Sequence, residues 1–209
     1  MKNSLFNSEN WLWQPFSAVA DVLILSCLWL VCSIPILTAG AATTALYDCC
    51  ARCVRGGERE MFSRFFRTFR RELGQGSVSF LLWAVVLSGG WNLVRGFTAN
   101  AQGTDVNVAL AYAMAALLAL LLGICAWVFP LLSRFTFSFS GLQITALKLA
   151  FAHLPRTVAL MAVMLGAGWL CLRLLLPVMV VPAIAGILAT FILEPVFQSY
   201  ETGAAGENN

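Results

Sequence analysis

Apolar residues in this chain gather into runs long enough to cross a bilayer, which takes roughly 17–25 residues in a helix. The runs cover residues 17–37, 77–94 and 106–132, followed by one block from Thr157 to Leu193. That block is too long for one crossing, and Arg173 and Pro177 sit near its middle. A proline cannot donate the backbone hydrogen bond that continues a helix. The block therefore divides into spans at 157–173 and 178–193, which makes five in all. Hydrocarbon leaves a helix as the way for such a segment to satisfy its own backbone. The pattern predicts an all-α, polytopic integral membrane bundle forming one unit over residues 1–209, with about five transmembrane helices and a cytoplasmic amphipathic helix.

That amphipathic helix is expected over about 60–73, in "EMFSRFFRTFRREL". Phe62, Phe65, Phe66, Phe69 and Leu73 recur at helical spacing, while Arg64, Arg67 and Arg71 line the other side. A phenylalanine stripe beside arginines suits a helix in the membrane interface, with the guanidinium groups toward lipid phosphates. The same stripe could instead pack on protein. Clustered arginine also invites a nucleic-acid reading. The phenylalanines and the short tethers to two spans argue against it, so no nucleic-acid partner is expected.

The stretch "SIPILTAGAATTALYDCC" closes the first run. Pro35 ends or kinks the helix, Gly40 and the alanines permit close backbone approach, and Thr38, Thr43 and Thr44 can satisfy freed carbonyls. The expectation is a packing elbow at Pro35 and Gly40 that turns the chain along the cytoplasmic surface. The alternative is a broken helix lining a substrate site. "IPILTAGAATTAL" and "FPLLSRF…ITALKLA" share a Pro, a Leu, a hydroxyl and a Thr-Ala-Leu, which hints at an internal repeat.

Composition agrees with the lipid setting. The chain is 60% hydrophobic and 11% charged, against about 25% charged in soluble domains. Seven Trp and fifteen Phe suit interfacial anchoring. The net charge of +3 matters less than its placement. Seven arginines lie between Ala41 and Gly76, and Arg134, Lys148 and Arg156 lie between Ser133 and Arg156. The 96–105 loop has no Lys or Arg. Basic loops stay cytoplasmic. Five spans then put the N-terminus outside and the C-terminus in the cytoplasm, in a bacterial plasma membrane; a first run that does not fully cross would leave the N-terminus cytoplasmic instead. "LTAGAA" resembles a signal-peptidase site, but the run before it is long and its flank holds Lys2 against Glu9.

Candidate chemistry is sparse. Cys49, Cys50 and Cys53 form a C-C-x-x-C, yet a zinc site takes four ligands, and the chain has one histidine, His153. No metal, cofactor or catalytic set is expected. The ionisable residues of interest are Asp21, Arg95 and Arg173, which fall toward the outer ends of spans. Groups there pair, or snorkel separately to the headgroups. An outer-side ionic cluster of the three is the sharper expectation. A carrier would need a polar path at mid-membrane, for which the sequence offers Ser26, Asn92 and Ser88.

Four stretches, "DVLILSCLWLVCSIPILTAGAATTALY", "FSRFFRTFRRELGQG", "WVFPLLSRF" and "LAFAHLPRTVALM", resemble the YesL-like family of small bacterial integral membrane proteins. The resemblance covers nearly the whole chain. It departs where the family usually has an asparagine near Ser26, and at Arg70, Arg71 and Glu72, where the family is richer in Lys, Asn and Gln. The family has no established activity, so no active-site residues carry over. Its members tend to be encoded near carbohydrate-uptake transporters and polysaccharide-degrading enzymes. The resemblance thus implies a non-enzymatic accessory role in carbohydrate uptake, with membrane lipids and a sugar-transporter permease as partners. A small solute carrier or channel is the alternative.

Overall fold

Among the described residues, seven α-helices carry the fold: α1 (Trp13–Ser33), α2 (Ala39–Cys49), α3 (Met61–Ala99), α4 (Asp105–Arg134), α5 (Phe139–Ala152), α6 (Leu154–Arg173) and α7 (Val181–Gly206). They come from a computed structural model that describes residues 13–54, 60–99, 105–135, 137–173 and 180–206, without the side chains of 13–19, 105–107, 172 and 199–206. No strand occurs among the described residues. Met61–Ala99, Val108–Arg134, Leu154–Cys171 and Val181–Gln198 are long and apolar enough to cross a membrane. The chain is a helical membrane-protein bundle.

The first departure from the expected layout is at Pro35. α1 stops at Ser33, four residues before the expected end of the first span, because a proline disfavours helical geometry in the residue before it. A short 3-10 turn, Ile36–Thr38, follows. The Thr38 hydroxyl lies 2.6 Å from the Cys32 carbonyl, at the broken end of α1, and 2.7 Å from that of Pro35, which also accepts the Thr38 N–H. The chain then reverses. Trp29 Nε1–H donates to Thr43 Oγ1 at 3.2 Å, and Leu25 packs among Leu46, Cys49 and Cys50. α2 therefore returns antiparallel along α1.

α2 is also antiparallel to the first half of α3. Gly40 sits against Gly76, while Asp48 and Cys49 meet Arg64 and Met61. The segment expected to run along the cytoplasmic surface is instead the centre of the bundle. Every residue from Gly40 to Ala51 except Thr43 is buried. Its glycine and alanine content lets α1, α3, α4 and α7 pack closely around it. As a result α1 and α3 point the same way, with α2 between them. Two successive crossings would point in opposite directions.

The amphipathic segment at 60–73 and the span at 77–94 are not separate elements. They form one 39-residue helix, about 58 Å long. Gly74 and Gly76 fall within it, and Gly76 is held by its contact with α2. α5 occupies the basic 133–156 segment, and its Thr145–Leu147 matches Thr44–Leu46 of α2 in the two related stretches. α6 ends at Arg173 and α7 begins at Val181. Pro177, used above to divide the last two spans, lies outside the described residues.

Candidate functional site

The Asp48 carboxylate is buried and takes three side-chain hydrogen bonds. It sits in the last turn of α2 and is 2% exposed. Arg52, one turn on, donates from Nε to Oδ1 at 3.1 Å. From α3, Arg64 Nε and Thr68 Oγ1 both donate to Oδ2, at 3.0 and 2.8 Å. A buried carboxylate persists when charge-assisted hydrogen bonds replace its water. Arg64 is therefore turned inward, away from the lipid surface at which the sequence placed it.

The expected phenylalanine stripe divides in the same way. Phe65 is fully buried against Met61 and Cys49, and Phe69 stacks on it with ring centroids 6.2 Å apart. Phe62 and Phe66 remain about half exposed, at 53% and 50%. Arg67, Arg70 and Arg71 are exposed, and Arg71 pairs with the buried Glu72 beside it. One helix thus presents a core face, an apolar outer face and a basic flank.

A second ionic contact ties α4 to α7, where Arg134 pairs with Glu194, 7% exposed. Nearby, Trp127 donates to Thr157 Oγ1 at 2.9 Å, and the His153 ring stacks on Trp127 with centroids 6.4 Å apart. His153 is thereby placed in the α5–α6 corner.

Asp21, Arg95 and Arg173 are not brought together. Asp21 has no ion-pair partner among the described residues. Arg173 instead lies over the Trp169 ring, 5.5 Å from its centroid, and Arg95 is exposed on the last turns of α3. Charges at span ends reach headgroups without pairing, and here an aromatic ring serves one of them. Of the elbow residues, Pro35 is exposed and Gly40 is buried against α3.

The three clustered cysteines are buried together, with Cys53 beside Cys49. Cys49 Sγ faces the Met61 carbonyl at 3.8 Å, and Cys50 Sγ faces the Ala183 carbonyl of α7 at 3.6 Å. Burial raises the Cys49 thiol, helped by Cys53, and pushes Cys50 up to about 12. Both are protonated thiols filling helix contacts. No group of metal-binding side chains occurs among the described residues.

A cavity of about 260 Å³ opens between α1, α2, α4, α6 and α7, lined by Trp29, Phe129, Met164, Val181 and Ala185 among others. Its walls are hydrocarbon and aromatic, suited to apolar groups and offering no acid–base pair. Sequence reasoning singled out Arg64 and Arg134 but did not join Asp48 to Arg64 or Glu194 to Arg134. The signal was there for the first pair: an acid in an apolar small-residue helix demands a cationic partner.

The Asp48 cluster and the Gly40–Gly76 contact both lie in the part of the chain that comparison with known families recognises. A family model described as a protein of unknown function, DUF624, matches residues 22–88, from α1 to the middle of α3. YesL-like proteins belong to that family. No curated protein and no solved structure matches the chain.

Proposed function

We propose that this protein is a non-enzymatic accessory subunit that works by binding another membrane protein, within a carbohydrate-uptake system of a bacterial plasma membrane. The sugar association rests on the resemblance to YesL-like proteins. The observation that favours a binding role over a carrier is the placement of the mid-membrane polar groups. Ser26 is buried at the α1–α7 contact, where its hydroxyl accepts the Ala183 N–H at 3.3 Å. Ser88 and Asn92 lie on the exposed side of α3 and bond to carbonyls of their own helix, at 3.1 and 2.8 Å. The three do not share a path.

The orientation follows from charge and from the hairpin. With the Arg52–Arg71 region cytoplasmic, the α1–α2 reversal supports an N-terminus on that side too, the alternative to the outside position expected from five crossings. The Arg134–Glu194 pair joins the middle of α7 to the basic α4–α5 region, which supports a cytoplasmic C-terminus.

The test is crosslinking in intact cells, purification in mild detergent and mass spectrometry, alongside sugar uptake in a deletion strain. Recovery of a sugar-transporter permease together with impaired uptake supports the reading. Solute flux through liposomes containing the purified chain alone would overturn it in favour of the carrier.

A further inference from the structure

One stripe of α3 changes character along its length. Arg67, Arg71, Gly74, Val78, Leu81 and Val85 follow one another at three- or four-residue steps, which places them on one helical face. All six are exposed. Arg70 stands beside the first two, and with Phe66 the three arginines line a shallow hollow. Val78, Leu81 and Val85 are 54%, 52% and 63% exposed, as a lipid-facing surface requires. At the junction, Gly74 has open space where a side chain would stand.

The charge on this stripe is available. Asp48 takes up Arg52 and Arg64, and Glu72 takes up part of Arg71. Arg67 and Arg70 have no carboxylate partner among the described residues. Val78 lies seven positions after Arg71, about 10 Å along the helix, against a headgroup layer of roughly 5–8 Å per leaflet. Guanidinium groups can close the difference and chelate phosphate oxygens.

We infer that α3 carries a binding site for one anionic phospholipid of the cytoplasmic leaflet. Its phosphate sits against Arg67, Arg70 and Arg71, its glycerol-ester region occupies the space over Gly74, and its acyl chains lie along Val78, Leu81 and Val85. The occupant is a lipid because the basic groups lead directly into an apolar lipid-facing strip, which a nucleic acid or an acidic peptide would leave uncovered. The site stands independently of the accessory role.

Native mass spectrometry of the delipidated full chain, offered phosphatidylglycerol and phosphatidylcholine with identical acyl chains, tests it. The unaltered chain retains phosphatidylglycerol preferentially. The R67Q/R70Q variant, which leaves Asp48, Glu72 and Glu194 paired, loses that preference by roughly ten- to thirty-fold. The single variants R67Q and R70Q each lose roughly three- to five-fold, and decide the matter should the double variant not fold. R95Q, at the other end of α3, keeps the preference. Equal retention of both lipids by the unaltered chain, or an undiminished preference in R67Q and R70Q, overturns the site. So does arginine-dependent binding of a short oligonucleotide without lipid selectivity.

Discussion

Gly40 of α2 and Gly76 of α3 meet backbone to backbone. A Cβ added at Gly40 would lie 2.2 Å from the Gly76 carbonyl oxygen and 2.8 Å from Phe80 Cβ. A Cβ at Gly76 would come within 3.0 Å of the Ala41 backbone. The contact sets how close the central helix comes to the longest one. It also sets which residues meet a few turns away, where Asp48 finds Arg64.

Substituting Gly40 therefore tests the hairpin directly. Gly40→Ala is expected to destabilise the protein by about 1–3 kcal/mol, because neither the carbonyl nor the α3 backbone can move without shifting the crossing. Gly89→Ala has open space around it and should be neutral, or stabilising by up to about 1 kcal/mol through helix propensity. Thermal unfolding in detergent, comparing the two variants, checks this. Equal effects would mean that the close approach is absent.

Asp48→Asn removes the charge that Arg64 and Arg52 share. Arg64 is 16% exposed, so it is left with little water to replace the carboxylate, and the expected cost is about 3 kcal/mol or more. Arg52, 37% exposed, should matter far less: Arg52→Ala is expected to cost about 1 kcal/mol at most. Chemical denaturation of both variants in the same detergent reads the difference. A larger loss in Arg52→Ala would reverse the assignment of the main partner.

The buried thiols give a pH dependence of definite sign. Folding raises the Cys50 thiol from its ordinary 9.0 to about 12, and raises Cys49 in the same direction. The folded state thus holds the proton more tightly than the unfolded one. Their stabilisation is present in full below pH 9 and is lost as pH rises from 9 toward 12. Alkylation by a maleimide at pH 8 should be slow at both positions in folded protein and fast after denaturation, as peptide mapping will record. Rapid labelling of the folded chain at Cys50 would show that α2 is not packed on α7.

Both termini should report the same compartment. Reporter fusions active only in the cytoplasm, placed at either end of the chain, are expected to be active in both positions. A silent N-terminal fusion with an active C-terminal one would restore the five-crossing arrangement and place α1 across the membrane.

Asp21, Arg95 and Arg173 lead to the opposite expectation from Asp48. No ion pair joins them, so Asp21→Lys combined with Arg95→Glu or Arg173→Glu should show no rescue of one change by the other. Coupling between the sites is expected to stay within about 0.5 kcal/mol, read by a double-mutant cycle. A clear rescue would bring the three residues back together.

The helices were legible because their cause is local. Apolar runs of bilayer length specify helix wherever they fall, and Pro35 and the α6–α7 boundary were visible as interruptions. The amphipathic segment was also legible, but not its continuity with the next span. Nothing within "LGQG" announces that Gly76 will be held in helix by a contact with Gly40, 36 positions earlier in the chain. Arg64 was assigned to lipid for the same reason. Spacing within one helix separates its faces, but it does not say which face a neighbouring element will cover.

By itself the sequence determined that this is an all-helical membrane protein with basic segments at one side, since hydropathy, backbone satisfaction in lipid and arginine placement act over neighbouring residues. Tertiary structure alone decided that α2 folds back into the centre, that Asp48 belongs to Arg64 and Glu194 to Arg134, and that Arg67 and Arg70 stay exposed. Those pairings join residues 16 and 60 positions apart. Each depends on how helices cross, and that depends on where small residues allow two backbones to touch.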